Sequence, residues 1–439
     1  MTRQKYPLGM ANFEKIRKED YVYVDKTHYV HELASEGTYY FLARPRRFGK
    51  SLFLNTLEAY FQAKRDLFKG LAIDRLESGE WEWHPVLHLD LTGKSYTDRD
   101  SLARILQACM AECEERYGLE EIDLPFDERF RKLILTLEQR YDKKVVVLVD
   151  EYDSPLSDVI DNPALFQLYQ QQLHGFYSVL KKTEKSLRFC MLTGVTKFGK
   201  VSVFSGLNNL RDITFNDAYA GICGITKEEL YQYFNLGVER LARKMCISEE
   251  EVYLKLKRNY DGYHFSACLL DVYNPFSLLN VLADQRIFGY WCASGVPTLL
   301  SKVLKDFNFD FTSLRCKTVS QAKLENLAAY QTDPIALLYQ TGYLTIKGYD
   351  IKRNRYTVGY PNLEVEEGLL ENVLGCYMPA ADDVGNTITD LAECLEEGDA
   401  EGFVKALGAF LSGIPFTLGE IVSRYERYYH TVMYCIMKL

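Results

Sequence analysis

The sequence lacks any long apolar run. No segment approaches the roughly eighteen consecutive apolar residues that a membrane-spanning helix needs. Residues 1–7 also lack the apolar core of a secretory signal peptide. Because both features are absent, we expect a cytoplasmic protein that has no membrane partner.

A disulfide framework is missing as well. The eleven cysteines are an odd number and are scattered through apolar segments, which indicates buried thiols in a reducing compartment. Cys109 and Cys113 lie four residues apart on a predicted helix and could share a metal, but no second cysteine or histidine pair has matching spacing. We interpret both residues as core thiols.

Positive charge is in deficit. The 52 lysines and arginines are outnumbered by 61 acidic residues, and the formal net charge is −9. This balance argues against a protein that coats nucleic acid nonspecifically, although it permits a local basic groove. The 439 residues are enough for two or three domains, each with its own core.

The most informative segment is a basic loop between two predicted elements. Residues 44–51 read Arg-Pro-Arg-Arg-Phe-Gly-Lys-Ser and follow a predicted buried strand over residues 39–43. An amphipathic helix is predicted over residues 52–61. Strand, loop and helix therefore come in the order of a phosphate-binding loop, and the simpler alternative is a short basic patch at a strand-to-helix corner.

The end of this loop meets the physical demands of phosphate binding. Backbone N–H groups must wrap the phosphates and lead into the positive end of a helix, and Gly49, Lys50 and Ser51 fit this requirement. The usual pattern has a further glycine where Arg44 stands, and Pro45 removes one backbone donor. The loop is thus a degenerate form of the pattern.

A second segment supplies carboxylates. Residues 145–149 are an unbroken run of valine and leucine that predicts a central parallel strand, and Asp150 and Glu151 follow directly. We expect Asp150 to hold a magnesium-bound water and Glu151 to polarise the attacking water. The alternative is a buried strand capped by solvated acids, and the upstream Gly-Lys-Ser favours the catalytic interpretation.

Further candidates follow the next predicted strand, which ends at Thr193. Thr193 is a candidate sensor of the γ-phosphate, although an ordinary strand-terminal threonine fits equally well. The loop after it carries Lys197, Lys200 and Arg211, and one of these cations could stabilise charge on a transferring phosphoryl group, as an arginine finger does. Solvated loop cations are the simpler interpretation.

The order of predicted elements indicates an α/β fold with a parallel sheet flanked by helices. The predicted strands are 21–27, 39–43, 86–91, 145–149 and 187–193, with helices including 101–117 and 165–182. Helical periodicity follows over 227–235, 249–260, 275–283 and 297–305, which predicts a helical lid. We expect the boundaries 1–215 for the nucleotide domain, 216–320 for the lid and 321–390 for a connecting region.

The connecting region contains a predicted β-hairpin over residues 342–358. Asp350 and Lys352 could be mistaken for part of a nuclease motif, but they lie near the turn without an upstream acidic partner, so we interpret them as surface charge. Residues 421–439 predict a strongly apolar helix whose hydrophobic face needs partners.

Several short motifs occur in a fixed order along nearly the whole chain: Tyr23-Val-Asp-Lys-Thr27, Arg44-Pro-Arg-Arg-Phe-Gly-Lys-Ser51, Leu148-Val-Asp-Glu-Tyr-Asp153, Thr193-Gly-Val-Thr-Lys-Phe198, Tyr260-Asp-Gly-Tyr263, Tyr273-Asn-Pro-Phe276 and Gln340-Thr-Gly-Tyr-Leu344. This ordered set resembles the bacterial predicted AAA-ATPase-like family of P-loop NTPases. Members typically carry a C-terminal nuclease-like domain of the PD-(D/E)xK class.

The resemblance implies a working ATP site despite the degenerate loop, because the basic loop is the family's usual form. It implies ATP binding by Lys50 and Ser51, with Asp150 and Glu151 carrying Mg²⁺ and water, as Walker A and Walker B residues do. Together with the candidates from the residues themselves, we expect ATP and Mg²⁺ as cofactors, Ser51 and Asp150 at the metal, and Glu151, Lys50, Thr193 and Arg211 in catalysis. The expected nucleotide contacts are Arg44, Arg46, Arg47, Phe48, Gly49, Lys50, Ser51 and Leu52.

The resemblance also implies that residues 391–439 begin the nuclease-like domain, whose catalytic strands would lie beyond Leu439. Glu420 and Glu426 would belong to its first helix. We therefore expect no nuclease activity from this chain alone, and any nucleic-acid partner would bind through the missing part. A homo-oligomer is a further partner that the sequence permits.

Three functions remain open from the sequence. The first is a Mg²⁺-dependent ATPase with slow turnover that drives a conformational switch of the lid, since no convincing internal arginine finger is visible. The second is a regulatory module that binds nucleotide and scarcely hydrolyses it. The third is a truncated nuclease or DNA-processing factor whose basic patch at residues 44–47 binds a phosphodiester backbone, which predicts salt-sensitive DNA affinity.

Overall fold

The described part of the chain is built around two sheets. The computed structural model describes residues 4–197, 203–204, 207, 209–293, 314, 316–327, 333–377, 384–412 and 433–438. The strands are β1 Tyr39–Ala43, β2 Val86–Asp90, β3 Val145–Asp150, β4 Leu187–Gly194, β5 Arg211–Asp212, β6 Lys317–Val319, β7 Thr345–Asp350 and β8 Arg355–Gly359.

The first sheet contains β1 to β5 in the order β2-β3-β4-β1-β5, and every neighbouring pair is parallel. Strands β1 and β3 are buried along their whole length, as continuous apolar runs must be when helices cover both faces of a parallel sheet. Because the strands are parallel, the loops that follow β1, β3 and β4 lie at one edge of the sheet.

Helices flank this sheet and continue into the second half of the chain. In chain order they are α1 Phe13–Lys18, α2 Thr27–Glu36, α3 Lys50–Phe61, α4 Ala72–Leu76, α5 Ser101–Arg116, α6 Phe126–Tyr141, α7 Ser154–Asp158, α8 Pro163–Lys182, α9 Lys227–Met245, α10 Glu249–Tyr260, α11 Pro275–Asp284, α12 Tyr290–Ala293, α13 Gln321–Glu325, α14 Ile335–Gln340, α15 Leu363–Tyr377, α16 Val384–Glu397 and α17 Ala400–Ser412. Among the described residues, no helix is long and apolar enough to span a membrane.

Helices α9, α10 and α11 form a separate apolar cluster together with the N-terminal Tyr6. Helix α9 begins at a capping box between Thr226 and Glu229, and α10 begins at one between Ser248 and Glu251. In each box a side-chain oxygen accepts from a backbone N–H of the first turn, which explains why both helices start where they do.

The second sheet is antiparallel and has the order β6-β8-β7. The predicted hairpin is confirmed as β7 and β8, whereas the pairing of β6 with β8 was not predicted. Asp350 lies at the end of β7, and its carboxylate accepts from Arg353 in the turn at 2.9 Å. Apolar residues of this unit belong to the same core cluster as the parallel sheet.

The predicted parallel α/β fold is confirmed, but one predicted strand is wrong. Residues 21–27 do not form a strand, and only Tyr21 makes an isolated bridge, to Lys5. The Asp25 carboxylate accepts from both the backbone N–H and the hydroxyl of Thr27, so the chain turns into α2 there. The predicted helix over 297–305, and most of that over 421–439, lie outside the described residues.

Gly194 lies where the end of β4 closely approaches residues 152–153. Its replacement therefore tests the packing at the edge of the sheet where β1, β3 and β4 end. A Cβ at this position would lie 2.6 Å from Tyr152 Cδ1, closer than packed atoms can lie. We expect Gly194→Ala to lower the free energy of unfolding by about 1–3 kcal/mol, measured by chemical denaturation. The control is Gly175→Ala in α8, where a Cβ meets no atom within 4 Å and should stabilise the helix by about 1 kcal/mol. A neutral Gly194→Ala would contradict this packing.

Candidate functional site

The predicted phosphate loop connects β1 to α3. Gly49 stands at the N-cap with φ +95°, and α3 begins at Lys50. Arg47 also has positive φ, at 68°. Left-handed residues in such a loop turn successive N–H groups towards one side and form a concave surface that suits an anion, next to the positive end of the helix.

Lys50 bridges the loop and the end of β3. Its Nζ lies 3.2 Å from Glu151 Oε1, and it donates to the carbonyl oxygens of Arg44 at 3.1 Å and Pro45 at 3.3 Å. Only 3% of the Lys50 side chain is exposed, so this ion pair is screened little by solvent. The structure thus brings together two of the residues that the sequence predicted to act in catalysis.

Asp150 and Thr193 form the second contact at this edge. The Thr193 hydroxyl donates to Asp150 Oδ1 at 2.7 Å, and both residues are buried. Strands β3 and β4 are neighbours, so the predicted sensor threonine and the predicted metal carboxylate end side by side. The tertiary structure therefore places a buried carboxylate where a hydroxyl orients it.

Glu151 has a strained backbone between these contacts. Its φ is +50°, a left-handed conformation that costs a residue with a side chain roughly 1–2 kcal/mol. Such conformations persist where the surrounding structure holds them, and they cluster at functional sites. The strained turn directs the half-buried carboxylate of Glu151 to Lys50.

Asp153 ties the turn after β3 to the segment after β4. Its buried carboxylate accepts from the backbone N–H of Val195 at 3.2 Å and of Thr196 at 2.7 Å, and also from the Thr196 hydroxyl. Burial, together with the nearby charge of Glu151, raises the pKa of Asp153 to about 6. No role for Asp153 was predicted from the sequence, because its hydrogen-bond donors come from Val195 and Thr196, far along the chain.

Arg44, one of the expected nucleotide contacts, has its side chain in the core. The guanidinium is buried behind the loop, where it donates to the carbonyl oxygens of Ala43 and Thr214 at 2.9 Å and of Tyr219 at 3.1 Å. Its Cζ lies 4.3 Å from the centroid of the Phe265 ring. Arg44 therefore joins the loop to the segments that pack behind it.

The other residues of the loop divide into two groups. Phe48 is buried against the rings of Tyr263 and Phe265, and it also lines an apolar compartment beside the loop. Arg46 and Arg47 are exposed, and the Arg47 guanidinium lies 4.2 Å from the Phe276 ring centroid of α11. These two arginines remain candidates for contact with an anion.

Arg211 does not reach this edge of the sheet. It pairs in register with Tyr40, in the first half of β1, and its guanidinium lies 3.1 Å from Glu36, which precedes that strand. The phosphate loop follows the opposite end of β1. The predicted catalytic role of Arg211 is therefore not supported by its position, and Lys200 lies outside the described residues.

An open cleft of about 750 Å³ lies over the loop. Its lining includes Gly49, Lys50, Ser51, Leu52, Glu151 and Arg47, and on the far side residues 9–11 and Phe276. Side chains of the loop, the β3 end and α11 thus face one space. The sequence motifs around Tyr273-Asn-Pro-Phe276 were the only indication that α11 would take part.

An apolar compartment of about 570 Å³ adjoins the cleft and shares Pro7, Gly49, Leu52, Pro275 and Leu279 with it. Its other lining residues are mainly apolar and include Val22, Val24, Phe53, Ile222 and Ile225. Lys26 stands on its wall, where its Nζ donates to Gly221 O at 2.7 Å and lies 2.6 Å from Glu229. Sequence reasoning did not identify this compartment.

The cysteine pair on α5 has the expected surroundings. Cys109 and Cys113 are buried free thiols, and burial raises the pKa of Cys109 to about 11 and of Cys113 to about 12. Within the described ranges, no group of three or more histidine, cysteine and acidic side chains could hold a metal ion.

Three comparisons relate the chain to known proteins. Residues 7–204 match the model of a family described as "Predicted AAA-ATPase". An "Uncharacterized protein in vnfD 5'region" from Azotobacter chroococcum mcd 1 is 36% identical over 445 residues, which cover 99% of this chain and 83% of that protein. A solved structure of the Aeropyrum pernix ORC2 protein in ADPNP-ADP complexes is 13% identical over 79% of this chain and 90% of that one, with a TM-score of 0.29.

The surroundings of Arg44 give a testable difference between neighbouring arginines. We expect Arg44→Lys to lower the free energy of unfolding by about 1–3 kcal/mol, because an ammonium cannot replace the planar fork that serves three buried carbonyls. Arg46→Lys at the exposed neighbour should change it by less than about 0.5 kcal/mol. Denaturant titration measures both variants. A stable Arg44→Lys variant that loses nucleotide affinity would contradict the structural role.

Proposed function

The chain belongs to the predicted AAA-ATPase family, and from this premise we propose that it is a Mg²⁺-dependent ATPase with slow turnover that acts as a conformational switch. Family membership supports nucleotide binding by an ATPase in general. The observation that carries the finer proposal is the meeting of Lys50 with Glu151 and of Thr193 with Asp150 at one edge of the parallel sheet.

The phosphates would bind at the N-terminal end of α3. Gly49 and the first residues of the helix offer backbone N–H groups, and the Lys50 ammonium adds a positive charge in a weakly solvated position. Lys50 would exchange its contact with Glu151 for one with the phosphate oxygens, which leaves the Glu151 carboxylate able to orient a water molecule. Catalysis of this kind consists mainly of positioning and charge stabilisation.

A magnesium ion suits the oxygen groups beside the loop. The Ser51 hydroxyl lines the cleft, and the Asp150 carboxylate is held by Thr193, so both are hard oxygen ligands of the kind that Mg²⁺ prefers. When bound, the ion would neutralise negative charge on the phosphates. Thr193 would then keep the carboxylate in one orientation through its hydroxyl.

The adjoining apolar compartment gives room for the base. Its walls of valine, leucine and isoleucine side chains suit a planar, weakly polar ring, while the cleft beside it is lined by Lys50, Glu151 and Ser51. A nucleotide that lies across both spaces would contact the N-terminal segment, the loop and α11. Arg46, Arg47 and Leu52, which are among the nucleotide contacts expected from the sequence, stay part of the proposal.

Three sets of contacts support a switch. Arg47 of the loop packs on Phe276 of α11, so the phosphate loop touches the helical lid. Behind the loop, a Cβ on Gly342 would lie 2.9 Å from Pro45 Cβ, so the corner between α14 and β7 also packs on it. Lys197, after the sensor strand, donates its backbone N–H to Gln340 at 2.8 Å and its Nζ lies 2.9 Å from Glu325.

We propose four domains with the boundaries expected from the sequence: 1–215 for nucleotide binding, 216–320 for the lid, 321–390 for a connecting region and 391–439 for the start of a nuclease-like domain. The separate apolar cluster of α9, α10 and α11 supports a distinct lid. A lid with its own core can move relative to the sheet as a unit, which is the motion that the proposed switch requires.

Binding of nucleotide tests the loop. We expect Lys50→Ala to weaken binding of a fluorescent ATP analogue in the presence of Mg²⁺ at least tenfold, about 1.4 kcal/mol, because the weakly solvated ammonium that would contact the phosphate oxygens is lost. Lys69→Ala provides a matched control, since Lys69 is exposed and its ammonium lies 2.7 Å from the nearby Asp66 carboxylate. Equal affinity of Lys50→Ala and the wild type would refute the phosphate-loop assignment.

Turnover separates the ATPase from a non-hydrolysing regulatory module. We expect Glu151→Gln to lower ATP turnover by about two orders of magnitude or more while affinity is kept, because an amide cannot polarise the attacking water. Glu115→Gln on the exposed face of α5 controls for loss of one negative charge. A wild type that binds ATP without measurable turnover would favour the regulatory module, and salt-sensitive DNA binding that ATP does not compete with would favour the nucleic-acid alternative.

A further inference from the structure

The segment after β4 is held in place by a residue that has no role in the proposed chemistry. Asp153 lies three positions after Asp150, in the first residues beyond β3. Its carboxylate is buried and receives three hydrogen bonds, from the Val195 and Thr196 backbone N–H groups and from the Thr196 hydroxyl. Two consecutive N–H groups on one carboxylate fix the backbone of the segment that begins directly after Thr193 and Gly194.

Tyr152 strengthens the same connection. Its backbone N–H donates to Thr193 O at 3.0 Å, and its hydroxyl donates to Thr196 O at 2.7 Å. Residues 152–153 therefore bind residues 193–196 through both main chain and side chains. The close approach leaves no room for a Cβ at Gly194.

Residues on both sides of the strained Glu151 are hydrogen-bonded to residues 193–196. Glu151 lies between Asp150, whose carboxylate receives the Thr193 hydroxyl, and the Tyr152–Asp153 pair, which is bound to the same segment. A left-handed conformation of a glutamate persists only when its neighbours are fixed on both sides. Asp153 supplies the fixed point on the C-terminal side, while Thr193 supplies it on the N-terminal side.

We propose that Asp153 is a positioning residue for ATP hydrolysis, which holds the Thr193 hydroxyl on Asp150 and keeps the Glu151 turn in its left-handed form. It acts through these residues and does not itself contact the nucleotide. The inference rests on the proposed function, because it assigns Asp150, Glu151 and Thr193 the roles given above.

Asp153→Asn is the direct test. The amide NH₂ replaces one of the two carboxylate oxygens and therefore opposes the backbone N–H of either Val195 or Thr196. That hydrogen bond is lost, and the segment shifts. We expect kcat to fall at least tenfold, while the dissociation constant of a fluorescent ATP analogue changes less than about threefold. Asp142→Asn, at an exposed left-handed position before β3 where asparagine is equally suited, should leave both constants unchanged.

A double-mutant cycle distinguishes positioning from general structural support. If Asp153 acts through Thr193, then Asp153→Asn should have little further effect on kcat in a Thr193→Val background, because the hydroxyl that it positions is already gone. Independent, multiplying losses in the two variants would overturn the proposal, as would an unchanged kcat in Asp153→Asn. If Asp153→Asn does not fold, Thr196→Val removes only one of the three donors, and we expect a loss of about threefold in kcat that Thr193→Val again abolishes.

A binding measurement keeps the inference separate from the proposed function. A wild type without turnover would refute hydrolysis, and this result is visible before any variant is compared. In that case the Mg²⁺ concentration for half-maximal binding of the ATP analogue tests whether Asp153 positions Asp150 through Thr193. A several-fold rise in Asp153→Asn, with unchanged affinity in the absence of Mg²⁺, supports the positioning of Asp150 through Thr193. An unchanged Mg²⁺ requirement overturns it.

Discussion

The parallel pairing of β1, β4 and β3 is the constraint on which the candidate site depends. Parallel strands end at the same edge of a sheet, so the loops after these three strands must meet there. Lys50 comes from the first loop, Asp150 and Glu151 from the end of β3, and Thr193 from the end of β4. The ion pair and the hydrogen bond that join them are consequences of strand order, and no local preference of either segment would create them.

Burial of polar groups imposes a second requirement on the same edge. A buried donor or carboxylate without a partner costs roughly 1–3 kcal/mol or more, so every turn that enters the core must be satisfied from another part of the chain. Arg44 satisfies three carbonyl oxygens behind the loop, and Asp153 satisfies two N–H groups after β4. These contacts hold the loop and the segment after β4 in place.

Other contacts link this edge of the sheet to the rest of the chain. Pro45 packs against the α14–β7 corner, Arg47 packs on α11, and Lys197 binds Gln340. A change in the loop or in the segment after β4 must therefore be accommodated by α11, by α14 or by the antiparallel sheet, since packed interfaces shift as units. Through these contacts, the proposed switch would transmit a structural change from the loop to the helices and the antiparallel sheet, and from these elements back to the loop.

The sequence alone determined the elements and the chemistry of single motifs. Apolar runs predicted the buried strands β1, β3 and β4, and Gly-Lys-Ser before a helical pattern predicted the loop, because these features depend on local periodicity and residue type.

Only the tertiary structure decided which side chains face the cleft. Arg44 and Phe48 lie in the same motif as Lys50, yet their side chains pack in the core. Arg211 lies beside the first half of β1, away from the loop that follows this strand. Residues 21–27 begin with tyrosines and valines, which are typical of a strand, but make only one isolated bridge, to Lys5. β6 is a strand because β8 supplies a partner. Pairing, burial and the direction of a side chain depend on partners far along the chain, which is why local pattern could not settle them.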